Sequence, residues 1–284
     1  MNAKSFPASL WRDYEVWIFL VSIVLANSVF VYVIAEGLLS ERYYWQGRFL
    51  LLGLILVAVA FSFRGFKAVW ALVTPVLHWR VHPGWYLLAL FAPPAICAAT
   101  LLVVGLLQGV GTSLLTISLD LVTDPAIYPA MLLSAFVGEI VWVGYSIARI
   151  KRHTSALIAS LIVGFFWSAW WVPVALIGLG IVTGMSVPAL FVHLVGVAVL
   201  CGFVYVHTQS GLVVLIMQLC FNSTLISFPA TPQSAGGLVA FWAFITVYLL
   251  IALALFFVFG PKPLWHHADA GGRDEGASAG GVAG

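Results

Sequence analysis

Of the 284 residues, 63% are hydrophobic and only 8% are charged, which gives a mean hydropathy of +1.09. Soluble domains of this size carry about a quarter charged residues, so the composition excludes one and predicts an all-α integral membrane bundle. The net charge of +2 is too small to suggest a nucleic-acid partner, and membrane topology accounts for the bases.

Apolar runs of about 20 residues predict eight transmembrane helices: 16–36, 43–63, 85–107, 127–149, 155–182, 187–207, 211–228 and 237–259. The first has no small-residue cleavage site in its 34–42 flank and reads as an uncleaved anchor. The second begins near Tyr43, so Arg48 is expected to snorkel to the interface. Between the second and third spans, RGFKAVWALVTPVLHWRVHPGW mixes bases with Trp and aliphatic residues, as a segment lying on headgroups would. The third span contains Pro93 and Pro94 and the fifth Pro173, candidate kinks around a cavity or simple bends. The outer loop 109–125 has a short amphipathic centre ended by Asp-Pro and reads as a lid, a rim or a connector. Cys97, Cys201 and Cys220 fall inside apolar spans as packing residues. After Pro261 the chain becomes Gly/Ala-rich and is predicted to stay unfolded, with His266 and His267 incidental. No repeat or long hydrophilic insert divides the chain. It reads as an N-terminal two-span region (1–63), a core (64–228), a last span (229–260) and a cytoplasmic tail (261–284).

Lys4, Arg12, Arg64, Lys67, Arg80, Arg149, Lys151, Arg152, Lys262 and Arg273 collect on one side, opposite Arg42 and Arg48. This bias predicts cytoplasmic termini.

Glu139 lies in GEIVWVGYSIARIKRH, roughly 18 Å along the fourth span from Ile127 and about 15 Å from Arg149. Its neighbours three and four positions away are Ala135, Phe136, Trp142 and Val143, so any partner must come from another span. An acid at mid-depth costs about 2.5–3.5 kcal/mol and is expected to face the bundle interior. It is a functional group or interhelical glue. Gln218 and Asn222 stand four apart on one face of the seventh span, as glue or as part of a site. His193 is a lone imidazole in the sixth, a satisfied core residue or a site group. The run FFWSAWW walls a pocket or forms an interfacial belt, and the belt is the simpler expectation.

Three stretches in this order and spacing, HWRVHPGWYLLALFAPP, GEIVWVGYSIARIKRHTSALIASLIVGFFWSAWWVPVAL and QLCFN, resemble the CPBP family of intramembrane proteases. That family includes the type II CAAX prenyl proteases and the bacterial Abi proteins. The resemblance runs from about Arg64 to Asn222 and implies a CAAX protease/Abi-like fold in a bacterial cell membrane. The family's chemistry uses Glu-Glu-x-x-x-Arg, Phe-x-x-x-His and His-x-x-x-Asn motifs, for activating water and holding an oxyanion. Carried onto this chain, the first reads Gly138, Glu139 and Val143, the second Trp167 and Trp171, and the third Gln218 and Asn222. The first Glu and both His are thus replaced by Gly138, Trp171 and Gln218, which cannot shuttle protons at neutral pH.

The resemblance therefore implies a protease scaffold with a degenerate centre and no cofactor or metal. A polar cavity around Glu139, Gln218 and Asn222 would bind membrane lipid, a prenylated or membrane peptide, or a partner membrane protein. Two alternatives stand. One is an active endopeptidase in CAAX-type processing or bacteriocin immunity, with Glu139 and Asn222 catalytic and His193 or His207 supplying an imidazole. The other is a proton-coupled transporter built on Glu139.

Overall fold

The computed structural model describes residues 14–125, 127–180 and 183–260. The 261–284 tail, its two histidines and the bases Lys4, Arg12, Lys262 and Arg273 lie outside the described residues.

The architecture is all-α. Among the described residues seven helices are long and apolar enough to cross a membrane, and they make this an integral membrane protein. In chain order the helices are α1 (Tyr14–Ala35), α2 (Tyr44–Arg64), the short α3 (Phe66–Ala71) and α4 (Pro83–Leu107). They continue with α5 (Ile127–Ile150), α6 (Ala156–Ile177), α7 (Val187–Thr208), α8 (Gly211–Ser227) and α9 (Gly237–Phe259). The seventh expected span is α8, whose 17 residues reach about 26 Å, a little under a typical hydrocarbon core.

The core is built around α7, the most buried span at 78% of its apolar window. It packs on α6, α8, α9 and the middle of α5. Close approach to α6 depends on Gly164, where a Cβ would come within 2.8 Å of the Val195 backbone. Small residues serve this role between membrane helices, where there is little hydrophobic drive and backbones must come near each other. Ser155, Ser186 and Ser210 cap α6, α7 and α8, each side chain accepting a backbone N–H from the first turn.

Several expectations change. The fifth span was expected to reach 182, but α6 stops at Ile177 because Gly178 takes the left-handed conformation, with φ of 70°. The Arg64–Trp85 stretch forms α3 and a 3₁₀ turn, Thr74–Leu77, and leaves Phe66, Trp70, Leu77 and Trp79 exposed among its bases. Arg48 does not snorkel: it is fully buried. Its guanidinium lies 4.0 Å from the Trp170 ring and 4.3 Å from Trp171. Its Nε donates to Asn27 Oδ1 at 2.8 Å. Aromatic faces from α6 solvate this weakly hydrated cation inside the bundle, so the helix need not shift to bring it to water.

At the basic end, Glu15 pairs with Arg64 at 2.9 Å and with Arg149, joining α1, α2 and α5. Beside them Lys151 donates to Gln209 Oε1 at 3.4 Å. Burial, with the charge of Arg152 second, holds its ammonium below its ordinary value.

Candidate functional site

α5 is not a uniform α-helix. Ile127–Gly138 is α-helical, Glu139–Ile147 is π-helical, and the α form returns at Ala148. The wider step shows in Ser146, whose Oγ donates to the Val141 carbonyl five residues back at 2.7 Å. Departures of this kind re-aim side chains and are common at functional sites. Here the change begins between Gly138 and Glu139, and the two residues face different neighbours.

Gly138 looks onto a cavity of about 60 Å³, room for about four waters. Its wall also includes Ser134 of α5, Trp45 and Phe49 of α2, Trp167 and Trp171 of α6, Leu190 and His193 of α7, and Gln218 and Asn222 of α8. The four-residue spacing of Gln218 and Asn222 does put both on one wall. The FFWSAWW run is not an interfacial belt. Trp167 and Trp171 are buried in the cavity wall, and the fully buried Trp170 packs on Arg48.

Glu139 does not line this cavity, which corrects the expectation of a polar cavity around it. Successive residues of a helix point about 100° apart or somewhat less, so its side chain leaves on another face. Its carboxylate settles where two glycines leave room. A Cβ on Gly144 would lie 3.2 Å from Oε1, and one on Gly211, the first residue of α8, 2.5 Å. Cys201 and Tyr205 of α7 lie near it. The residue is fully buried, and neither oxygen has a hydrogen-bond partner among the described residues. The partner expected from another span is not found there. Val143, where the family carries Arg, is sealed in the core.

The polar groups that do meet the cavity are amides, a hydroxyl and one imidazole. Gln218 is nearly buried. Its Oε1 sits where a side chain on Gly138 would begin, 2.9 Å from such a Cβ, while its Nε2 has no partner. His193 is held by Tyr248 of α9. The Tyr248 hydroxyl donates to the His193 carbonyl at 2.7 Å, and the same oxygen contacts Nδ1. His207 is not part of the site: its Nδ1 binds the Phe203 carbonyl at 2.7 Å, at the far end of α7. Among the described residues no three His, Cys, Asp or Glu side chains gather as a metal site would need. His193 meets the cavity as a hydrogen-bonding group.

Sequence reading missed Tyr248, Asn27 and Glu15. A tyrosine in an apolar span gives no sign of what its hydroxyl meets. Glu15 stands one residue outside the expected first span and reads there as an ordinary end charge.

Residues 120–224 match the family model of Type II CAAX prenyl endopeptidase Rce1-like proteins. This segment is an Rce1-like domain. It spans α5 to most of α8 and contains all the motif positions, so the resemblance to the CPBP/Abi family holds over most of the cavity wall, the exceptions being Trp45 and Phe49 of α2. The chain is thus a multi-pass membrane protein carrying an Rce1-like domain. No curated protein matches it.

Proposed function

We propose that the protein is a non-hydrolytic relative of the intramembrane CAAX proteases, in which the former catalytic cavity binds the polar end of a membrane ligand without cutting it. One observation carries this reading. Gly138, Trp167, Trp171, Gln218 and Asn222, the positions where the family's motifs fall, close on a single cavity, and no carboxylate lines it. Water activation by a base and stabilisation of an oxyanion both need groups within hydrogen-bond reach of the reacting atoms. Glu139, the acid left in the first motif, is turned into a separate niche. The remaining amides can bind a carbonyl or hydroxyl, but they cannot move protons.

The ligand is expected to be lipid-like or a membrane peptide, prenylated ones included, and a partner membrane protein could present it. A bacterial cell membrane with cytoplasmic termini fits the bias of Arg64, Lys67, Arg80, Arg149, Lys151 and Arg152.

The test is to incubate the purified protein in nanodiscs with a farnesylated CAAX peptide and follow cleavage by mass spectrometry. The expected outcome is intact peptide. Turnover abolished by Glu139→Gln would overturn the proposal and restore an endopeptidase. Turnover abolished by His193→Phe but kept in Glu139→Gln would overturn it as well, and would assign the base to α7.

A further inference from the structure

The hydrogen bonds of Tyr248 fix which nitrogen of His193 carries the proton. A phenol has one hydrogen, and that hydrogen goes to the His193 carbonyl at 2.7 Å. The second contact of the same oxygen, with Nδ1, can then be a hydrogen bond only if Nδ1–H donates and the phenol oxygen accepts. Tyr248 is fully buried against Phe221, Phe244 and His193, so water cannot exchange these roles. Nδ1 carries the hydrogen, and Nε2 keeps a bare lone pair. No described side chain meets Nε2, and the ring lines the cavity.

The cavity therefore offers one fixed acceptor, His193 Nε2, and is lined by Gln218, whose buried Nε2 donor has no partner among the described residues, with Asn222 beside it. Everything else around them is a Trp, Phe or aliphatic wall with a single serine. The wall also tells against charged heads. An anion would meet the Nε2 lone pair with no cation inside the cavity. A cation would find no carboxylate among the described lining residues, and the Arg48 guanidinium already lies against the Trp171 ring of that wall. The volume of about 60 Å³ suits a small polar head, with the tail of the ligand outside it.

We infer that the cavity selects an uncharged head carrying both a hydrogen-bond donor and an acceptor, an alcohol or primary amide on an apolar tail, with His193 Nε2 accepting and Gln218 Nε2 donating. This inference rests on the binding reading above and adds the chemistry of the ligand.

The test measures the affinity of the full chain in phosphatidylcholine nanodiscs for four probes with one tail: dodecan-1-ol, dodecanamide, dodecanoate and dodecyltrimethylammonium. The alcohol and amide should bind about tenfold more tightly than either ion. His193→Phe should remove that preference. His193→Gln, which keeps an acceptor, should retain most of it, and this guards against a Phe variant that fails to fold. Tyr248→Phe should weaken the alcohol about three- to tenfold and should mix the tautomers seen in imidazole ¹⁵N spectra of the labelled protein. Equal affinity for all four heads, a preference for an ion, or selection unchanged in His193→Phe overturns the inference and leaves the binding reading standing. Failure of every probe to bind overturns both. An unchanged ¹⁵N spectrum in Tyr248→Phe overturns the tautomer argument.

Discussion

Two ionisable side chains lie fully buried in one bundle, and they are housed in opposite ways. Arg48 is wrapped: two indole faces, the Asn27 amide oxygen and the Tyr44 hydroxyl surround its guanidinium. Glu139 is merely accommodated, in space left by Gly144 and Gly211, with no described hydrogen bond to either oxygen. The difference follows from the two ions. A guanidinium spreads its charge over a flat, weakly hydrated surface that aromatic rings can replace as solvent. A carboxylate concentrates charge on two oxygens and is satisfied only by donors. Arg48 therefore adds to the cohesion of α1, α2 and α6, while Glu139 adds little to that of α5, α7 and α8.

That contrast can be broken experimentally. The largest effect should come from Arg48→Leu, which removes the cation–π contacts with Tyr44, Trp170 and Trp171 and strands the Asn27 oxygen. A loss of about 3 kcal/mol is expected from the unfolding midpoint in detergent, and a neutral or stabilised variant would mean that the rings do not solvate the charge. Asn27→Leu should cost about 2 kcal/mol by the same measurement, because it unpairs Arg48 Nε and also the Trp170 carbonyl, which accepts from Asn27 Nδ2. Gly211→Ala should cost about 1–2 kcal/mol, since the new methyl meets the Glu139 carboxylate. Most of that cost should vanish when Glu139→Ala is added, a coupling that a double-mutant cycle reads directly. The smallest effect should be that of Glu139→Gln, under about 1 kcal/mol, because no ion partner is lost. A cost of several kcal/mol there would reveal a partner for Glu139 and remove the contrast.

The span pattern was readable because hydropathy over a helix length is a summed property, and errors at single residues average out. That Gln218 and Asn222 share one wall was readable because a four-residue step keeps side chains on one face of a helix, whereas the place of Trp167 and Trp171 in the same wall was not, since a run of tryptophans near a helix end reads equally as a belt. The direction of Glu139 was not, for two local reasons. The change from α to π hydrogen bonding at Gly138 leaves no mark in EIVWVGYSI that a 3.6-residue period would reveal. The vacancy that receives the carboxylate is made partly by Gly211, 72 positions away. Burial of Arg48 was hidden for a similar reason: hydropathy counts a lone base as a cost, whereas its Trp partners lie in α6 and its amide partner in α1. The Tyr248–His193 link joins α9, outside the matched 120–224 segment, to a helix inside it.

Trp171 lines the cavity and also lies against the guanidinium of Arg48. A histidine there would give up one ring of the aromatic shelter of a charge that has no acid beside it among the described residues. Trp171→His therefore costs stability unless Arg48 is replaced as well. The indole is held in common by the cavity and the cation, and neither can trade it away alone.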